Sequence, residues 1–253
     1  MNFQNAEEKG ILSRILDLAE QVLKTQQVLV TDFYEPNYLE LGQEALKRYS
    51  DLKISFVGGY SGAERQRIVI FPDYIDAEAI PQLVDIVNLK GGKNFHLLKH
   101  RDFLGAVLGL GIRREKIGDI LVGEGICSIV AAKDLAPYIQ SNLSRVGSVQ
   151  VQAELGIISE ESLVKKFKLI NTTVSALRLD AVSCQGFGLS RSQMVNEIKS
   201  GKLKVNWKEN SKVDFTVKEG DVISCRGKGR IIIEEIVGLT KKGRYSIVLR
   251  RLL

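Results

Sequence analysis

Cysteine is scarce in this 253-residue sequence: Cys127, Cys184 and Cys225 are odd in number, far apart and form no CxxC pair. That excludes a disulfide framework and a zinc ribbon, and it leaves buried thiols as the reading. Histidine is scarcer still. His96 and His100 have the i,i+4 spacing of helical metal ligands, but no Glu lies between them and Asp102 falls off their helical face, so no metal is expected. No run of about 18 uncharged apolar residues occurs, which argues against a membrane span. The start Met1-Asn2-Phe3-Gln4-Asn5 has neither a basic n-region nor an apolar h-region. A cytoplasmic protein without membrane insertion is expected.

The signatures of several enzyme classes are also missing. His100-Arg101-Asp102 matches the kinase catalytic-loop tripeptide, yet no DFG, no phosphate-covering Gly-rich loop and no Asn at the required offset accompany it. Gly109-Leu110-Gly111 follows a helical pattern instead of a strand and lacks a third glycine, so it reads as a helix terminus. No catalytic residue and no cofactor are expected.

What is present is the balance of a folded protein, 44% hydrophobic and 26% charged, long enough for two or three small domains. The net charge of +6 is unevenly spread. Residues 1–80 carry 8 basic and 13 acidic side chains (net −5), residues 81–160 carry 9 and 8 (net +1), and residues 161–253 carry 19 and 9 (net +10). A positive field of that size concentrates polyanions and favours counterion release, which makes nucleic acid the first partner to consider.

The patterning predicts an α+β chain in three parts. In residues 1–80, Ile11, Ile15, Leu18 and Val22 mark an amphipathic helix up to Thr25, and a second helix runs from about Pro36 to Arg48. Strands at 52–57 and 67–71 flank the Gly58-Gly59-Tyr60-Ser61-Gly62 turn. Glu64-Arg65 reads as a structural pair. Residues 81–165 run strand (84–89), helix (101–110), strand (120–123), strand (126–132), helix (134–143), strand (149–155), which is the βαββαβ order of a ferredoxin-like, RRM-like domain. Its two central strands carry no aromatics, so base stacking on that sheet is not expected. Residues 166–253 open with Leu177-Arg178-Leu179-Asp180 and continue with a helix that Ser190 can cap and whose apolar side is Met194, Val195 and Ile198. Gly201 ends that helix, and strands follow at 203–207, 213–217, 221–226, 230–237 and 245–249.

Arg178-Leu179-Asp180, Leu189-Ser190-Arg191-Ser192, Ile198, Gly201, Lys202, Lys204-Val205-Asn206 and Val217-Lys218-Glu219-Gly220-Asp221-Val222-Ile223 together resemble an S4-type RNA-binding domain over about Ala176 to Arg230. The sequence departs from the common pattern at Trp207, where many such domains have glycine. RNA helices hide their base edges in a narrow major groove, so proteins hold them by phosphates and ribose hydroxyls. Arginine suits phosphate through its planar fork, and lysine adds a mobile charge. The expected RNA-binding residues are Arg178, Ser190, Arg191, Lys199, Lys202, Lys204, Asn206, Arg226, Lys228 and Arg230. Asp180 reads as positioning a basic neighbour or capping a helix. A second contact is expected from His100, Arg101, Arg113 and Arg114, which flank one short helix.

Upstream, Gly62-Ala63-Glu64-Arg65, His100-Arg101-Asp102-Phe103-Leu104-Gly105, Leu110-Gly111-Ile112-Arg113-Arg114 and Ile117-Gly118-Asp119-Ile120 resemble the YlmH family, including its cyanobacterial "photosystem II S4 domain" type. With the C-terminal module the resemblance covers nearly the whole chain. It implies a cytosolic, non-enzymatic protein that binds rRNA or tRNA, associates with the large ribosomal subunit and acts on stalled nascent chains. The alternatives are an S4-domain RNA-modifying enzyme, of pseudouridine synthase or methyltransferase type, and an assembly factor for photosystem II. The oligomeric state is not legible.

Overall fold

The computed structural model describes residues 6–159, 163 and 167–252. The chain forms two compact units, residues 1–164 and 165–253. The expected domain boundary at 165/166 lies outside the described residues.

The first unit begins with α1 (Ala6–Thr25), whose buried Ile11, Leu12, Ile15, Ala19 and Val22 recur at helical spacing. The strand β1 (Leu29–Tyr34) leads to α2 (Pro36–Leu46), where proline fits the first turn because that N–H needs no helical partner. β2 (Leu52–Val57) and β3 (Gln66–Pro72) complete an antiparallel sheet in the order β1-β3-β2. Helix and sheet meet through Ile15, Val22, Leu46, Ile68 and Ile70. A Cβ at Gly42 would lie 2.6 Å from Ile68 Cδ1, so glycine lets α2 approach the sheet without displacing that side chain.

A second sheet follows. Its elements are β4 (Val84–Gly91), α3 (His100–Gly109), β5 (Ile117–Val122), β6 (Ile126–Ala132), α4 (Ala136–Asn142), β7 (Arg145–Val146) and β8 (Val149–Gly156). The antiparallel order β5-β6-β4-β8-β7 places the first and third strands of the βαββαβ unit at the centre, the ferredoxin-like arrangement, with β7 added at the edge. On one face Val87, Leu89, Cys127 and Ile129 pack with Phe103 and Val107 of α3 and Ile139 of α4. On the other, Val84, Val130 and Ala132 pack on Phe33 of β1, with Val57 and Tyr60 against them. The N-terminal sheet therefore covers part of the face on which RNA-recognition modules stack bases.

A polar seam fixes this packing. Asp119 of β5 accepts hydrogen bonds from the Tyr60 hydroxyl (2.7 Å) and the backbone N–H groups of Glu64 (2.7 Å) and Arg65 (3.1 Å). The Arg65 guanidinium donates to the carbonyls of Phe33 (2.8 Å) and Ile117 (3.2 Å), and Lys116 pairs with Asp32 at 2.7 Å. Burial and the bond to Asp119 push the Tyr60 hydroxyl well above its usual range.

The second unit comprises β9 (Phe167–Val174), α5 (Leu179–Phe187), α6 (Arg191–Lys199), β10 (Leu203–Val205), β11 (Lys208–Glu209), β12 (Val222–Cys225), β13 (Gly229–Leu239) and β14 (Tyr245–Leu252). The strands form one antiparallel sheet, β11-β10-β12-β13-β14-β9. Leu179, Val182, Met194 and Ile198 of the helices pack on Leu203, Ile223, Ile231 and Leu249 of the sheet. The expected strand at 213–217 does not form. Instead the carbonyls of Phe215 and Val213 accept from the N–H groups of Leu179 (2.8 Å) and Asp180 (3.2 Å), and Thr216 makes an isolated bridge with Arg178. These first-turn donors of α5 have no partner within the helix, so the segment satisfies them in place of a sheet neighbour.

Candidate nucleic-acid interface

The site is built on the short connection between α5 and α6. Gly188, with φ +67°, ends α5 in the left-handed conformation, and Ser190 starts α6 two residues later. The reversal brings Arg191, the first residue of α6, back to Asp180 in the first turn of α5. Asp180 is 1% exposed. Its carboxylate accepts from Arg178 Nε at 3.1 Å and from Arg191 Nε at 2.8 Å. The side chains of Arg178 and Arg191 remain 39% and 55% exposed. A guanidinium has five N–H donors, so each arginine retains donors beyond those that Asp180 takes.

Both arginines sit at helix N-termini, where the helix dipole disfavours cations. Asp180 offsets that repulsion and holds the two guanidinium groups at fixed places on the surface. Two oriented forks with donors to spare match the geometry of phosphate oxygens.

Further cations lie along the same unit. Lys199, Arg226 and Lys228 are exposed. Arg226 and Lys228 occupy the β12–β13 turn, in which Gly227 and Gly229 have φ +79° and +96°. The Arg226 N–H donates to the Lys202 carbonyl at 3.0 Å, which places that turn beside the end of α6. Lys202 pairs with Glu197 at 2.8 Å, and Lys204 is exposed on β10 opposite Glu209. Arg230 donates to the Ser224 hydroxyl (3.2 Å), and its guanidinium carbon lies over the Trp207 ring at 5.7 Å from the centroid.

Three expected contact residues have other employment. Ser190 caps α6: its hydroxyl accepts from the Gln193 N–H at 3.3 Å, and Gln193 reciprocates toward the Ser190 N–H at 3.0 Å. Asn206 donates to buried Asp221 (2.9 Å) and accepts from the Val222 N–H (2.9 Å), so its amide holds a turn. Arg114 is half-buried and donates to the carbonyls of Ile117 (2.5 Å) and Gly118 (3.1 Å); burial pulls its pKa down to about 10. His100 and Arg101 open α3, whereas Arg113 lies beyond its end. The ten-residue helix between them is about 15 Å long. Asp102, last of the kinase-like tripeptide, caps α3 by accepting from the Lys99 N–H at 2.8 Å. His96 belongs to a 3-10 turn, Phe95–Leu97, and His100 to α3, so the two do not form a helical i,i+4 pair.

Residues 177–223, which hold this helix pair and the Arg178–Asp180–Arg191 cluster, match the S4 domain, the module of S4-type RNA-binding proteins. Residues 7–75 match the YlmH N-terminal domain and residues 82–160 the putative RNA-binding domain in YlmH. The chain belongs to the YlmH family. It is 31% identical over 246 residues, 97% of this chain and 95% of the relative, to ribosome-associated protein quality control protein P2 of Bacillus subtilis (strain 168). Among solved structures it is similar to the cell division protein ylmH from Streptococcus pneumoniae, with 25% identity and a TM-score of 0.52 over 62% of this chain and 94% of that one.

Proposed function

We propose that this protein is a non-enzymatic, cytoplasmic RNA-binding factor that associates with the large ribosomal subunit and holds rRNA or tRNA through the arginines flanking Asp180. The family and the ribosome-associated relative support the setting. The observation that carries the reading is the Arg178–Asp180–Arg191 cluster, where a carboxylate 1% exposed orients two half-exposed guanidinium groups. Because Asp180 is already engaged by both arginines, it is suited to positioning them and not to nucleophilic attack. The site residues in this reading are Arg178, Arg191, Lys199, Lys202, Lys204, Arg226, Lys228 and Arg230. The division that accompanies it assigns residues 1–80, 81–165 and 166–253 to three domains, with the RNA clamp in the third.

The test is binding of structured ribosomal RNA to the full chain across a salt series, for the parent and Arg178→Ala/Arg191→Ala. The double variant loses both cationic partners of buried Asp180 and is expected to be less stable; at a temperature where its circular dichroism matches the parent's, it is expected to bind more weakly and to show a shallower dependence of log K on log salt, by roughly one for each phosphate that is no longer neutralised. Identical isotherms at every salt concentration would remove the cluster from the interface.

A further inference from the structure

We propose that Trp207 is a stacking platform for an unpaired RNA base, a role that rests on the RNA-binding reading above and adds base contact to a phosphate clamp. The observation is conformational. Val205 pairs with Lys208 across β10 and β11, so Asn206 and Trp207 form a two-residue hairpin loop, with φ +48° and +63°. Both central residues of such a turn require positive φ, which favours Asn followed by Gly. Asn206 fits, and its side chain is locked onto Asp221 and the Val222 N–H. Trp207 does not: a bulky residue with a Cβ is strained in the left-handed region, and strain of this kind gathers at functional sites.

No need of the turn explains an indole there. The ring is half-buried, with the Arg230 guanidinium over it, and it lies on a short edge hairpin whose strands carry the exposed Lys204 and Lys208, with Glu209 opposite Lys204. An aromatic face set among cations matches the way unpaired bases are bound, by stacking beside a groove that holds the backbone. Arg230 in this arrangement braces the ring from one side while a base occupies the other. A fully paired duplex offers a free base face only at its two ends, so the contact discriminates stem–loops and junctions from the body of a plain helix.

Trp207 is the single tryptophan of the chain, so indole emission reports on this position alone. The full chain is titrated with an RNA stem–loop and with the same stem as a blunt duplex, binding being followed separately by anisotropy of a label on the RNA. The stem–loop is expected to quench emission at saturation and the duplex to leave it nearly unchanged. Trp207→Gly is expected to unfold at a midpoint no lower than the parent's and to lose about fivefold or more in affinity for the stem–loop only, with Trp207→Phe restoring part of it. Both RNAs binding without any change in emission, or Trp207→Gly binding the stem–loop as tightly as the parent, overturns the proposal. If neither RNA alters the anisotropy, the RNA-binding reading falls and takes this one with it.

Discussion

Asp180 sets up a contest between charge and position. Counting charge alone, removing a carboxylate from a polyanion-binding surface should strengthen binding, since the field becomes more positive. The geometry argues for the opposite sign, because Arg178 and Arg191 both lean on that carboxylate. Asp180→Ala is therefore expected to weaken RNA affinity by about fivefold, the equivalent of roughly 1 kcal/mol of forfeited orientation, while the second unit stays folded. Affinity that rises in Asp180→Ala, measured at one fixed ionic strength, would mean that only net charge matters at this site. The arginines were legible in the sequence as residue types, and Asp180 as a positioning group. Ser190 and Asn206 were not legible as structural, because a polar side chain does not announce whether backbone groups will claim it. In both cases they did, through a capping box and through a turn lock.

Among the elements, periodicity revealed what was long and buried on one side, as in α1, α6 and the strands of the middle sheet. It missed β1, whose Thr31 and Asp32 interrupt the apolar run and whose ladder with β3 shifts register between Val30 and Phe33. It missed β9 because an edge strand of mixed polarity, Phe167–Val174, has only Val174 fully buried. Two-residue strands such as β7 and β11 leave no pattern to read. The seam between the two sheets of the first unit was also invisible, since Tyr60 and Asp119 are 59 residues apart. Its energetics are testable. Asp119→Ala removes three hydrogen bonds to a carboxylate, each worth about 1.5–3 kcal/mol, and is expected to lower the first unit's stability by at least about 3 kcal/mol in denaturant unfolding. Tyr60→Phe should cost less, as two backbone donors keep their acceptor. The Tyr60 pKa is raised in the folded state, so its share of the stability is present below the unfolded value of about 10 and is lost as pH rises above it. A parent and Tyr60→Phe pair with parallel stability-versus-pH curves from pH 8 to 11 would contradict that assignment.

At the scale of the whole molecule, charge and packing divide the labour between the two units. Residues 1–80 are net −5, and their sheet covers part of the central face of the ferredoxin-like sheet, where a base-reading module would work. Residues 161–253 hold the net +10, the strained Trp207 and the paired arginines, together with a hydrophobic core of their own from Val174 to Leu249. A unit with its own core is expected to fold alone. Residues 165–253 should therefore retain most of the RNA affinity and sediment with ribosomal particles in a sucrose gradient at low salt, whereas residues 1–164 should stay near the top. Exposed Arg101 and Arg113 in the first unit, if they touch the same particle, act as a linked second contact: the full chain then withstands more salt than the isolated second unit, because linkage raises the local concentration of the weaker site. Equal salt resistance of the two would confine binding to the second unit. Co-sedimentation of residues 1–164 without residues 165–253 would reverse the assignment altogether.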